Sequence, residues 1–175
     1  MQARRERASA VARSLKTGRS YQEKTMNEIE ISDLYQEMIV DHSRRPRNFR
    51  PLENATHQAE GFNPLCGDKV KIYVDFDQGV VRDVSFEGEG CAISKASASL
   101  MTESIKGKSE AEVRVLFSRF RDLAIGNVDG DPSELGKLAV FAGLRGFPTR
   151  VKCATLAWHT LRAALEENSG VVSTE

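Results

Sequence analysis

The sequence predicts an α+β fold, with helices packed on one face of a small antiparallel sheet of about three strands. Three observations predict this class: a segment in which apolar residues recur with a period of two, a helical pattern before it, and a series of helical patterns after it. Strands followed by a run of helices are typical of an α+β domain, because the apolar face of the sheet is buried by packing against helices.

The strand signal is an alternating segment interrupted by a short turn at Asp77–Gly79. Two alternating runs joined by a short loop that contains glycine predict an antiparallel hairpin. The third strand is expected at the edge of the sheet, near Thr56–Gly61. The apolar positions of the two runs are Val70, Ile72, Val74, Phe76, Val81, Val84 and Phe86.

The helices are predicted from apolar spacing and from capping residues. The first extends from about Ile31 to Arg44, where the following Arg45-Pro46 ends it. Four more helices follow the hairpin: they start at Cys91, after Ser109, after Asp131 with Pro132 at the first helical position, and at about Lys152, and the last ends near Glu167.

Composition limits the classes of function. The 175 residues fit one domain, and the 40% apolar and 29% charged residues are those of an ordinary globular protein. Basic and acidic residues number 25 each, so we expect no nucleic-acid partner, and no apolar run suggests a membrane span. The odd count of 3 cysteines argues against a disulfide framework and favours a reducing, cytoplasmic location.

The first 25 residues differ from the rest because they are basic and rich in serine, with few large apolar side chains. We expect residues 1–26 to be a disordered extension, residues 27–168 to form one domain, and residues 169–175 to be a flexible tail. A targeting segment would have the composition of the extension. The alternative that we favour is a start codon placed too early, because Met26 opens a sensible domain.

The candidate site is organised around the turn Asn63–Asp68, which places the thiol of Cys66 and the carboxylate of Asp68 close together. The other cysteines, Cys91 and Cys153, both stand at predicted helix N-termini, where the helix dipole is expected to lower a thiol pKa. Thiolates with a carboxylate are ligands for Zn²⁺ or an iron–sulfur cluster. We therefore expect all four residues to converge on one metal site that the fold assembles.

A lone cysteine on a helix is more often a small buried apolar residue, but turn or capping signals flank all three cysteines here. The histidines give no such signal. His159 follows Cys153 by six residues, which turns it ~240° around the helix. His42 and His57 have no local partner in the sequence.

Three segments carry a family resemblance: NPLCGD at 63–68, GEGCAIS at 88–94 and RVKCATL at 150–156. They resemble the three cysteine motifs of the U-type iron–sulfur cluster assembly proteins, and the resemblance extends from about Asp33 to Leu165. Within the family the chain is most similar to the SufU branch. Scaffolds of the IscU branch have a histidine before the third cysteine, where this chain has Lys152, and the stretch before Cys153 resembles the insertion of SufU, placed within Gly126–Pro148.

The resemblance implies the IscU/SufU-like fold and a zinc ion held by Cys66, Asp68, Cys91 and Cys153. It also implies that the protein accepts persulfide sulfur on Cys66 from a pyridoxal-phosphate cysteine desulfurase, of the SufS type, and delivers it to a downstream scaffold or to apo-proteins. Arg150 and Lys152 are expected to support this anionic site or to contact the partner. Whether this zinc-dependent sulfurtransferase activity makes the protein an enzyme is left open.

Two alternatives remain at the level of the sequence. In the first, Cys66, Cys91 and Cys153 are the ligands of a [2Fe–2S] cluster that is assembled on the protein and transferred to apo-proteins, with iron in place of zinc. In the second, the residues form a purely structural zinc module, for which Cys66→Ala would abolish folding. The downstream sulfur acceptor and the oligomeric state are not indicated by the sequence.

Overall fold

The computed structural model describes residues 33–127, 129–168 and 170–174. The predicted extension and the start of the first helix at Ile31 lie outside these residues. The chain divides into two compact units, residues 1–36 and 37–175, and the second contains the sheet and the candidate site. Residues 33–44 are helical and are called α1. The predicted domain boundaries stay predictions.

Four strands form the sheet: β1 His57–Asn63, β2 Asp68–Asp77, β3 Val80–Glu89 and β4 Val172–Ser173. Their spatial order is β3-β2-β1-β4, and β2 pairs antiparallel with both β1 and β3. The predicted hairpin is therefore confirmed. The third predicted strand is also present as β1, although it continues two residues beyond the predicted end at Gly61 and is not the last strand on its side of the sheet.

The predicted α+β class is confirmed, but the sheet has four strands instead of about three and is not purely antiparallel. β4 pairs parallel with the outer edge of β1, through Gly61 with Val172 and Phe62 with Ser173. Its residues fall within the segment expected to be a flexible tail. The β-branched Val172 suits an extended backbone, and the free edge of β1 offers it unpaired backbone groups.

The helix bounds are α2 Ala92–Ile105, α3 Glu110–Ile125 and α4 Pro148–Leu165. As predicted, α2 and α4 pack on the sheet, whereas α3 packs on α4. α4 lies against β1 and β2, whereas α2 contacts β3 and α4. Gly61 allows the closest approach, because a Cβ atom at this position would overlap the Thr160 hydroxyl of α4. The fully buried Trp158 of α4 stacks on Phe120 of α3, with 4.7 Å between ring centroids.

Two helix predictions need correction. Pro132–Leu144 was expected to be an ordinary helix, but it is a 3₁₀ segment interrupted at Gly136, whose φ of 56° and ψ of −130° are not helical. Its start is as predicted, with the Asp131 side chain accepting from the backbone N–H of Ser133 at 2.9 Å. The last helix begins at Pro148 and not at Lys152, because proline is compatible with the first helical turn.

A buried polar cluster fixes the end of α1. The His42 ring lies 2.7 Å from the hydroxyl of Ser99 on α2, which also accepts the backbone N–H of Arg47 at 2.8 Å. His42 therefore has a structural partner that is distant in sequence. No helix within the described ranges is both long and apolar enough to cross a membrane.

Replacing Ser109 tests how far local capping stabilises the fold. Ser109 and Glu112 form a capping box at the start of α3, in which each side chain accepts from the backbone N–H of the other residue. We expect Ser109→Ala to lower the free energy of unfolding of the metal-free protein by about 1 kcal/mol, measured by urea denaturation. Ser118→Ala, at an exposed position of the same helix, should change it much less; equal losses would show that the capping box contributes nothing specific.

Candidate metal centre

The turn between β1 and β2 places two side chains on the face of the sheet that α4 covers. Asn63 ends β1, Asp68 begins β2, and the two residues are directly opposite in the strand register. Gly67 closes the turn with its N–H 2.8 Å from the carbonyl of Asn63 and takes a φ of 70°, which favours glycine. Cys66 lies on this turn and is exposed.

Asp68 is fully buried, and its carboxylate is held from two sides. Oδ1 accepts the backbone N–H of Cys91 at 2.8 Å, and Oδ2 accepts the side-chain amide of Asn63 at 3.3 Å. No ion pair among the described residues involves Asp68. A carboxylate so deeply buried without a cationic side chain suits a site that receives a metal cation.

Cys91 is the N-cap of α2, so its predicted place at a helix N-terminus is confirmed. Its backbone has φ −70° and ψ 165°, and its sulfur accepts the N–H of Ser94 at 3.4 Å. The expected lowering of its pKa is wrong. Burial raises the pKa of the Cys91 thiol, and the opposing hydrogen bond from Ser94 does not offset this effect.

Cys153 does not lie at a helix N-terminus, because α4 begins five residues earlier, at Pro148. It is a buried residue within the helix, so the predicted effect of the helix dipole is wrong for this thiol. Burial is the largest cause that raises the pKa of Cys153, and its contacts with Cys66 and Asp68 raise it further.

Three of the four candidate ligands come together, and the fourth, Cys91, lies beside Asp68. The sulfur atoms of Cys66 and Cys153 are 3.0 Å apart, and the ligand atoms of Cys66, Asp68 and Cys153 all lie within 4.8 Å of one another. The sulfur of Cys91 lies 3.8 Å from Oδ2 of Asp68. By their chemistry, three thiols and one carboxylate suit a tetrahedral zinc ion, and the three thiols also suit a cluster.

The two cations singled out in the sequence lie beside this group without bonding to it. Arg150 is exposed and places its guanidinium 5.4 Å from the centroid of the Phe147 ring. Lys152 is half-buried and precedes Cys153 directly. In the part of the chain that the structure describes, neither side chain makes a hydrogen bond or ion pair with the thiols or with Asp68.

Two residues of the site were missed by sequence reasoning. Asn63 was quoted only as part of the turn, yet it is fully buried and contacts both Asp68 and Cys153. Gly90 precedes Cys91 and leaves room for the Asp68 carboxylate, which a Cβ atom at this position would overlap. The sequence signal was there: a glycine directly before a cysteine, and an Asn-Pro pair that opens the turn.

Gly90→Ala should therefore weaken metal binding. The added methyl group must displace Asp68 or the N-terminus of α2, so we expect a roughly 10–100-fold loss of zinc affinity, measured by competition with a chromophoric chelator. Gly143→Ala is the matched control, because nothing lies within 4 Å of a Cβ atom built there. Unchanged affinity of the Gly90 variant would contradict the close packing of Gly90 on Asp68.

Comparison with known proteins places this geometry in a family. The family model called NifU-like N terminal domain matches residues 34–154 of this chain. The zinc-dependent sulfurtransferase SufU of Bacillus subtilis (strain 168) is 38% identical over 140 residues, which cover 80% of this chain and 95% of the relative. The iron–sulfur cluster assembly scaffold protein IscU of Streptococcus pyogenes serotype M1 is 37% identical over 139 residues, which cover 79% of this chain and 87% of the relative.

Solved structures show the same fold. A candidate scaffold protein for iron–sulfur cluster assembly in the SUF system of Fervidobacterium islandicum AW-1 is 40% identical, with a TM-score of 0.69 over 74% of this chain and 94% of that one. The N-terminal part of a NifU-like protein from Brucella abortus is 22% identical and shares the fold, with a TM-score of 0.70 over 79% of this chain and 99% of that one. The chain therefore belongs to the family of NifU-like N-terminal domains. This family includes iron–sulfur cluster assembly proteins, and the chain's relatives named IscU and SufU are members.

Proposed function

We propose that this protein is a zinc-bound sulfur acceptor that takes persulfide sulfur from a pyridoxal-phosphate cysteine desulfurase and passes it on to iron–sulfur cluster assembly in the cytoplasm. One observation carries the proposal: only one of the three thiols in the ligand group, that of Cys66, is exposed. Cys66 is exposed, Cys91 is half-buried, and Cys153 and Asp68 are 1% and 0% exposed. A partner can therefore reach Cys66 without opening the core.

Zinc fits this donor set and would be held by Cys66, Asp68, Cys91 and Cys153. A bound zinc ion would keep the thiols deprotonated, although burial raises the pKa of Cys91 and Cys153. The protein supplies the arrangement of the ligands. Asp68, Cys91 and Cys153 stand on β2, at the N-cap of α2 and within α4, whereas Cys66 stands on the turn and is free to approach a partner.

The transfer step is an exchange at sulfur. The Cys66 thiolate attacks the terminal sulfur of a persulfide on the desulfurase cysteine. A new S–S bond forms on Cys66, the S–S bond of the donor breaks, and the donor cysteine leaves as a thiolate. Because one S–S bond replaces another, the step needs no external oxidant or reductant. The terminal sulfur is transferred with its proton, which it then loses to give the anionic persulfide on Cys66.

Arg150 and Lys152 are proposed to assist this exchange from the surface. Arg150 lies three residues before Cys153 and its only ring contact among the described residues is with Phe147, so its donors remain available to an anionic persulfide or to the partner. The SufU relative supports the zinc and sulfur chemistry, because it is named a zinc-dependent sulfurtransferase and aligns with 80% of this chain.

A second function is supported by a specific observation. The Streptococcus pyogenes relative, at 37% identity, is named a scaffold protein, and Cys66, Cys91 and Cys153 offer three thiolates to a [2Fe–2S] cluster. Anaerobic reconstitution would then give a cluster that moves to an apo-ferredoxin. Zinc retention without a transferable cluster would exclude the scaffold function.

Cys66→Ser tests the sulfur-acceptor function against a purely structural zinc module. We expect aerobically purified wild-type protein to carry about one zinc per chain and to gain a persulfide on Cys66 after incubation with desulfurase and cysteine, seen by mass spectrometry. Cys66→Ser should keep its secondary structure and lose the persulfide. Cys153→Ser, the control at the buried thiol, should lose the metal itself. Full zinc in the wild type with no sulfur on Cys66 would contradict the proposal, and unfolding of Cys66→Ser would favour a structural zinc module.

A further inference from the structure

Asn63 is a fully buried polar residue at the end of β1, and it contacts the candidate ligands without being one of them. We propose that Asn63 is a positioning residue: its amide N–H groups hold Asp68 and Cys153 in place, so that Cys66 is the ligand that is free to leave. The inference rests on the proposed function, because it explains which of the four ligands moves.

The orientation of the Asn63 amide follows from its hydrogen bonds. Its oxygen accepts the backbone N–H of Leu65 at 3.2 Å, so the nitrogen faces the other way. That nitrogen lies 3.3 Å from Oδ2 of Asp68 and 3.4 Å from the sulfur of Cys153. An amide nitrogen has two hydrogens, and one is available for each acceptor.

The other ligands are tethered in the same way, and Cys66 is not. Asp68 also accepts the backbone N–H of Cys91, and the Cys91 sulfur accepts the N–H of Ser94. In the described ranges the Cys66 sulfur has one hydrogen-bonding contact, with the sulfur of Cys153, and no N–H group binds it. When Cys66 leaves, three ligands remain fixed by bonds that do not involve it.

Charge gives the amide a second role. Three thiolates and one carboxylate carry four negative charges around a divalent ion, so the set has an excess of negative charge. N–H groups that point at the ligand atoms offset part of this excess and orient the ligands. A neutral donor is suited to this position, whereas a carboxylate would repel both acceptors.

Asn63→Asp and Asn63→Ala test the inference together. Asn63→Asp has nearly the same shape and keeps the acceptor for Leu65, but it replaces the N–H donors with an acceptor. We expect it to weaken zinc binding roughly 10–100-fold, at least as much as Asn63→Ala, in chelator competition. Asn48→Asp is the matched control: it removes an amide that donates to Thr102 at 3.0 Å, away from the site. Zinc affinity of Asn63→Asp equal to that of the wild type would overturn the inference.

A metal-free measurement distinguishes failure of this inference from failure of the proposed function. Labelling of the metal-free protein with methyl methanethiosulfonate, followed by peptide mass spectrometry, gives the rate at which each cysteine thiol is modified. Wild type should label at Cys66 well before Cys153, and in Asn63→Ala the rate at Cys153 should rise relative to Cys66. If wild type binds no zinc, the proposed function fails, but the labelling ratio still decides the role of Asn63. An unchanged ratio in a folded Asn63→Ala protein, checked by circular dichroism, would overturn that role.

Discussion

The burial of the Asp68 carboxylate is the constraint on which the rest of the site depends. An ionised carboxylate that loses its water must recover the lost stabilisation from hydrogen bonds and from a cation. Here one oxygen accepts the backbone N–H of Cys91 and the other accepts the Asn63 amide. These two bonds join the start of β2 to the N-terminus of α2 and to the end of β1. The fold therefore positions Asp68 and Cys91 together, and Gly90 leaves the space that this contact requires.

The proposed site combines three candidate ligands that are held by hydrogen bonds with one, Cys66, that no N–H group holds in the described part of the chain. Asp68, Cys91 and Cys153 belong to or cap regular elements that pack into the core, and each accepts hydrogen bonds from neighbouring N–H groups. Cys66 belongs to a turn in which Gly67 takes a φ of 70°, and its side chain is exposed. A site of this kind can release one ligand to a partner and keep its geometry. A structural zinc site has no need for such a difference between its ligands.

Much of this could be predicted from the sequence, where the signal was local. The period of two in β2 and β3 and the capping residues of α2 and α3 depend on neighbours along the chain, and these elements were placed within a few residues. The approach of Cys66, Asp68 and Cys153 to one another, with Cys91 beside Asp68, was expected from the turn and capping signals around the cysteines, and the resemblance of three motifs to a known family supported that expectation. Spacing alone left a buried structural cysteine as an alternative.

The errors arose where tertiary contacts decide. The last helix was predicted to start at about Lys152, although Pro148 is acceptable in a first helical turn, and so Cys153 was placed in the wrong turn of α4. The predicted low thiol pKa considered the helix dipole and not burial, which is the largest effect at both Cys91 and Cys153. β4 depends on a pairing that is distant in sequence, and so does the contact of Asn63 with Cys153: the Asn-Pro pair marks the turn but does not show this contact.

The central claim is that three cysteines and one aspartate hold a single metal ion. X-ray absorption spectroscopy at the zinc edge of the purified protein tests it most directly. The account predicts about three sulfur neighbours at ~2.3 Å and one oxygen neighbour at ~2.0–2.2 Å, and replacing Asp68 with Ala should remove or exchange only the oxygen. A zinc ion surrounded only by nitrogen and oxygen, or a spectrum unchanged in Cys153→Ser, would contradict the claim.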